Sequence, residues 1–402
     1  MVEPENDDRQ AGHFFQLPPI NPDHWNDDLR AQRLKDTRLG AGWGALRRTL
    51  VRMGWLLVVV AVVSSFYYVY DVRPERERLA RTNPRLYHVY DAQDRADDRT
   101  AVVDLAGLGI LDATHTAHAL PALALMGQVW AVQYDNAGLD TAVISELITR
   151  RAHQRGVTQI VVVGHSMGGI IALEVATHLY EDTDLRLRAV MLDCTPVNLH
   201  AVRSRSRDAG EDMLRWMGWL PGARESRTLR VLVETVARKD RFVTHSADGV
   251  PSIDTHELYT VVTEVFREKI RSSKAASNSL IESQFNAIVA SGAQKNLEAL
   301  TAEFEDKPLP AFVFLRPKIG EHDPVVDVDY SQRVLFEQTG KPPGRLLVVR
   351  MPQTAHANPI QQPEVYNPAI ETTVLPFLER IQQLGDASPA AGATEFRDDN
   401  PQ

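Results

Sequence analysis

Six short apolar runs rich in β-branched residues recur along this chain, and no other feature narrows the fold so far. They are "AVVDLAG", "QVWAVQY", "TQIVVVG", "RAVMLDC", "AFVFLRP" and "LLVVRMP". Near-continuous apolar stretches such as Ile160 to Val163 suit strands buried on both faces. Between them, Thr141 to Ala152 and Gly169 to Leu179 place apolar residues at helical spacing. Strand and helix in alternation predict an α/β fold, a mostly parallel sheet with helices on both faces.

The alternation breaks once. From about residue 197 to 309 no convincing strand is read, and "EDMLRWMGWL", "HELYTVVTEVFREKI" and "SNSLIESQFNAIVASG" read as helices. So long an interval is no loop, and a helical cap inserted over the sheet is expected. Within it, the apolar and aromatic cluster Met213 to Pro221 is taken as the cap's own core in preference to an acyl-pocket wall or a lipid contact. The folded domain is expected over residues 101–384, followed by a disordered tail at 385–402. Residues 71–100 read as a charged juxtamembrane linker in which "RLYHVYDA" offers a first edge strand.

Residues 1–52 are polar and rich in Asp, Arg and Pro, which predicts an unstructured tail. An uncharged stretch then runs from Met53 to Tyr70, "MGWLLVVVAVVSSFYYVY", about as long as a bilayer core requires. Trp55 near one end and Tyr67, Tyr68 and Tyr70 at the other sit where interfacial aromatic belts are found. A transmembrane helix is expected here. The alternatives are a signal peptide and a buried strand pair. Some fifty polar residues precede the stretch and no small-residue cleavage site follows it, which favours an uncleaved anchor. Arginines at 47, 48 and 52 nearly balance those at 73, 76 and 78, and the expected orientation puts the N-terminus in the cytoplasm and the large domain outside. The net charge of −9 with no basic block argues against a nucleic-acid partner. A single cysteine, Cys194, excludes an intramolecular disulfide and a cysteine-based zinc site, and it reads as a buried small residue.

The chemistry is concentrated in "TQIVVVGHSMGGIIALEVA". A strand, a Gly-x-Ser-x-Gly turn and a helix put Ser166 on a tight bend, with Gly164, His165 and Gly168 forming the nucleophile elbow. The amide of Met167, at the helix N-terminus, is positioned as an oxyanion donor. A serine hydroxyl needs a base, and His356, after the last strand, meets that need. The histidines at 165, 178, 200, 245 and 256 read as surface or core residues. The acid is expected after "AFVFLRP", where Asp323 is chosen over its neighbours Glu321 and Asp327. The second oxyanion donor is expected in "DLAGLG", from the amide of Leu108, with Gly107 the alternative.

Taken in order, "DLAGLG", "YDNAGLD", "GHSMGG", "EHDPVV" and "TAHANP" resemble the α/β-hydrolase superfamily in its cap-bearing esterase and lipase-like branch, from about Ala101 to Leu384. Where that family commonly has His-Gly, this chain has Ala106-Gly107, which keeps the backbone donor but loses a supporting side chain. "YDNAGLD" is similar to the family's Asp-x-x-Gly turn and implies structural roles for Asp135 and Gly138. The resemblance implies serine acyl-enzyme hydrolysis of an ester, thioester or lipid-like substrate, with no metal and no organic cofactor. Acyltransferases and non-catalytic binding proteins share the family, and the sequence leaves both readings open. Serine at the elbow argues against a dehalogenase or an epoxide hydrolase, which would carry aspartate there. Oligomeric state is not readable.

Overall fold

The computed structural model describes residues 27–245, 251–272, 275–290, 292–340 and 344–386. All six apolar runs are strands, and a seventh joins them. In chain order the sheet contains β1 (Arg85–Tyr90), β2 (Thr100–Leu105), β3 (Gln128–Gln133), β4 (Gln159–His165), β5 (Arg186–Asp193), β8 (Ala311–Pro317) and β9 (Leu346–Met351). A separate two-stranded ribbon holds β6 (Val243–His245) and β7 (Pro251–Ile253). The sheet order is β1-β3-β2-β4-β5-β8-β9, with β1 antiparallel to β3 and every other pair parallel. From β2 the chain moves outward to β3, then returns to the other side of β2 as β4. The loops after β2 and β4 therefore diverge and open a crevice at the carboxyl ends of the strands.

Helices fill both faces. Those on the body are α3 (Thr114–Ala119), α4 (Thr141–Arg155), α5 (Met167–Asp182), α11 (Val328–Thr339), α12 (Pro363–Ala369) and α13 (Leu375–Asp386). The interval between β5 and β8 carries α6 (Ser204–Trp219), α7 (Arg227–Ala237), α8 (Thr255–Val265), α9 (Asn278–Ala290) and α10 (Ala293–Thr301). It is not uniformly a cap. Leu280, Phe285, Leu297 and Leu300, from α9 and α10, belong to the same continuous core as the sheet, whereas Phe242, Val261 and Val265 form a small second core with α7 and α8. The β6–β7 ribbon corrects the all-helical expectation: strands of three residues are too short to leave a period in the sequence.

The cluster at Met213 to Pro221 is also corrected. Met213 and Leu214 pack on the main core, but Trp216 and Trp219 are 58% and 78% exposed, stacked edge to face at 6.3 Å. They are not a cap core.

Residues 71–100 are folded and do not form a linker. Helix α2 (Arg73–Leu79) and β1 lie within them. Asp71 takes hydrogen bonds from the Ser226 hydroxyl at 2.6 Å and from the Arg227 amide at 3.1 Å, so it caps α7 from outside. Glu75, buried, is gripped by Arg78 at 2.5 Å and Arg227 at 2.7 Å. These carboxylates, read in the sequence as linker charge, have fixed partners about 150 residues away.

The N-terminal segment is a separate unit. Helix α1 spans Asp27–Tyr67. Residues 27–52, expected in an unstructured tail, are helical because Leu, Ala, Arg and Lys are strong helix formers and no proline interrupts them. The rest of that tail, residues 1–26, and the C-terminal stretch 387–402 lie outside the described residues. Among the described residues this is the one helix long and apolar enough to cross a membrane, and its apolar stretch is unburied.

Candidate active site

The elbow is built by close approach. Any side-chain carbon at Gly164 would lie 2.5 Å from the Gly169 Cα, and one at Gly168 would lie 2.5 Å from the carbonyl oxygens of Leu105 and Ala106. Only glycine lets β4, α5 and the end of β2 converge this tightly. Ser166, held at φ 55°, occupies a backbone region costly for an L-residue, and its amide is anchored to the Asp193 carbonyl at 2.7 Å. The turn thereby lifts the hydroxyl off the carboxyl end of the sheet.

His356 follows β9 and comes from the far side of the crevice. Its Nε2 accepts from the Ser166 hydroxyl at 2.8 Å, and its Nδ1 donates to Asp323 Oδ2 at 2.9 Å. Asp323 is fully buried, and its other oxygen accepts from the amides of Val325 at 2.9 Å and Val326 at 2.8 Å. Arg203 holds the same loop by donating to the Asp323 carbonyl at 2.7 Å. The neighbouring acids are elsewhere engaged: Asp327 caps α11 through the Tyr330 amide at 3.0 Å, and Glu321 is exposed. The structure thus brings Ser166, His356 and Asp323 into one hydrogen-bonded line.

Gly107 lies against the elbow, since a methyl group there would come within 3.4 Å of the Ser166 Cβ. Leu108 follows in the turn closed by the Ile110 amide on the Gly107 carbonyl at 3.3 Å, and the next amide, of Gly109, donates to Gln284 at 2.9 Å. Among the described residues the amides of Leu108 and Met167 have no acceptor outside α5 itself. Gln284, buried on α9, was not legible as a site residue; it ties the loop after β2 to the interval beyond β5. Asp135 closes its own turn, accepting from Ala137 at 2.8 Å, with Gly138 bonded to its carbonyl at 3.2 Å.

His165 is not a bystander in the elbow. Its Nδ1 faces Asp193 at 2.8 Å and its Nε2 faces Asp104 at 3.0 Å, all three side chains being buried. Burial alone would lower its pKa; the charge of Asp104, then the hydrogen bond and charge of Asp193, outweigh burial and push it up to about 10. The sequence held a signal for these partners, because Asp104 and Asp193 each interrupt or end a fully buried apolar run. Cys194, Asp323 and His356 bring ligand-type atoms within 4.8 Å of one another. Burial, then the carboxylates of Asp193 and Asp323, push the Cys194 thiol well up, and an ion held there would have to break the Asp323–His356 bond.

Residues 64–369 match the model of the alpha/beta hydrolase family. No curated protein matches the sequence. Among solved structures, a bacterial membrane phospholipase A is 18% identical with a TM-score of 0.46, over 84% of this chain and 99% of that one. A carboxylesterase of the thaumarchaeon Nitrososphaera gargenis is 13% identical with a TM-score of 0.44, over 75% and 97%. The monoacylglycerol lipase of Paleococcus ferrophilus is 13% identical with a TM-score of 0.43, over 75% and 99%. Likenesses that distant carry no argument about substrate. The family model covers well over half of the residues, in the same segment that holds the sheet, the elbow and the loops around it, and the chain belongs to the alpha/beta hydrolase family.

Proposed function

We propose that the protein is a membrane-anchored serine hydrolase that cleaves carboxylic esters, lipid-like ones included, through an acyl-enzyme on Ser166. The observation that carries this reading is the line from Ser166 Oγ to His356 Nε2 at 2.8 Å and from His356 Nδ1 to Asp323 at 2.9 Å. His356 removes the hydroxyl proton as Oγ attacks the ester carbonyl, and Asp323 fixes the imidazole tautomer and stabilises the imidazolium. The oxyanion is received by the amides of Met167 and Leu108, the first reinforced by the N-terminus of α5. The proton on Nε2 passes to the leaving alcohol. Water, deprotonated by the same imidazole, then releases the acid and restores Ser166. The apolar part of α1 supplies the anchor, and the large domain faces away from the cytoplasm.

The test is labelling by a fluorophosphonate probe and turnover of a short p-nitrophenyl ester, with and without Ser166→Ala. Labelling and turnover that both vanish in the variant support an activated Ser166. A folded wild type that neither labels nor hydrolyses rejects the reading.

A further inference from the structure

A second cluster of buried ionisable groups lies directly beneath the proposed nucleophile. Asp104, His165 and Asp193 stand on the adjacent strands β2, β4 and β5, with side chains no more than 3% exposed. A neutral imidazole has one N–H, so one ring nitrogen would turn a lone pair toward a carboxylate. Only the imidazolium gives a donor to both. The two contacts differ in kind. The Nδ1 to Asp193 contact is a hydrogen bond at 2.8 Å, whereas the Nε2 to Asp104 contact is of ion-pair length at 3.0 Å but lies off the hydrogen-bond line. Among the described residues the Asp104 oxygens have no hydrogen-bond donor, so this buried carboxylate is compensated by the charge on His165.

Asp193 has three attachments. Its backbone carbonyl accepts from the Ser166 amide at 2.7 Å, one carboxylate oxygen binds His165, and the other accepts from the Tyr366 hydroxyl at 3.1 Å. That hydroxyl accepts in turn from the Asn358 amide at 3.2 Å, and the Asn358 side chain accepts from the Ala355 amide at 3.2 Å. His356 lies between these two held residues. One aspartate is thus bonded to the turn that carries Ser166 and, through Tyr366, to the loop that carries His356.

We propose that Asp193 is a positioning residue that sets the nucleophile's turn and the base's loop to a common point, and that His165, as an imidazolium between two carboxylates, locks Asp193 in place. The inference rests on Ser166 and His356 acting as nucleophile and base. A misplacement of about 1 Å between reacting groups costs up to ~100-fold in rate.

The test uses the full chain in detergent, with Tyr366→Phe as the principal variant because it removes one hydroxyl and keeps the ring in the core. The expected result is a kcat about 10-fold lower with KM within about twofold, and labelling by the fluorophosphonate slowed to the same degree. Asp193→Asn is expected to lose about 100-fold. Ile370→Val, a buried change next to the same helix, serves as the control for loosened packing: at an equal or larger fall in Tm it keeps its kcat. In protein labelled with 15N-histidine, both His165 nitrogens are expected to be protonated at pH 8. The proposal is overturned by a Tyr366→Phe kcat within twofold of wild type, by a loss that Ile370→Val shares at equal Tm, or by a neutral His165 at pH 8. A wild type that neither labels nor hydrolyses removes the reading on which the proposal stands; the His165 spectrum still decides the charge state by itself.

Discussion

His165 and His356 lie on either side of Ser166 and have opposite surroundings. His356 is partly open, with one carboxylate behind it and a serine hydroxyl in front, which is the arrangement the proposed base requires. His165 is sealed, with a carboxylate at each nitrogen, so its proton has nowhere useful to go. On the proposed mechanism, the same side chain serves chemistry where it has one acidic neighbour and structure where it has two. Environment, not residue type, divides the roles.

Substitution at each histidine gives the widest separation. His356→Gln, like Ser166→Ala, is expected to lower kcat by roughly 10⁴-fold or more while moving Tm by a degree or two. Asp323→Asn is expected to lose on the order of 10⁴-fold by leaving the wrong tautomer. Steady-state kinetics beside thermal unfolding checks all three, and a His356→Gln variant that keeps a tenth of wild-type kcat breaks the contrast.

His165→Gln is expected to behave the other way round, with stability as the primary loss. Two buried carboxylates would be left without the charge that compensates them, a change that typically costs about 3–5 kcal/mol. Urea unfolding in detergent measures it. A loss below about 1 kcal/mol would mean that the cluster is not charged as described.

The pH dependence sharpens the same point. His165 is raised from 6.5 to about 10 by Asp104 and Asp193, so its contribution to stability is fully present below pH 6.5 and is lost as pH rises toward 10. Tyr366 and Cys194 also abut Asp193, and both are pushed up by burial first and by its charge second, which opposes their ionisation in that window. The Tm difference between wild type and His165→Gln is therefore expected to narrow between pH 7 and pH 10. Parallel curves would count against the assignment.

Sequence carried one half of this comparison and not the other. The strands announced themselves because runs such as Ile160 to Val163 are β-branched and uninterrupted. Ser166, His356 and Asp323 were legible because each follows a strand, and chain order then leaves few candidates. The partners of His165 were not assigned, since which carboxylates meet an imidazole depends on strand register: Asp193 stands opposite His165 because β4 and β5 align there. For the same reason Asp71 and Glu75 read as loose linker charge, although they grip α7 across about 150 residues of chain. Helical periodicity likewise says that α9 and α10 have an apolar face but not that the sheet's own core receives it.

The interval between β5 and β8 allows the smallest of these effects to be foreseen, and it tests whether apolar composition was misread as burial. Trp216 and Trp219 end α6 in solvent, while Met213 and Leu214, one turn earlier, meet the main core. Substitution of exposed groups usually changes stability by less than about 0.5 kcal/mol, whereas truncating a packed Leu or Met costs about 2 kcal/mol or more when fully buried and proportionately less when half-buried. Trp216→Ser with Trp219→Ser is accordingly expected to leave unfolding within about 0.5 kcal/mol of wild type, and Leu214→Ala to cost about 1–2 kcal/mol. If the tryptophan pair proves the costlier change, those rings contribute to packing, and the core that the sequence suggested for Met213 to Pro221 is restored.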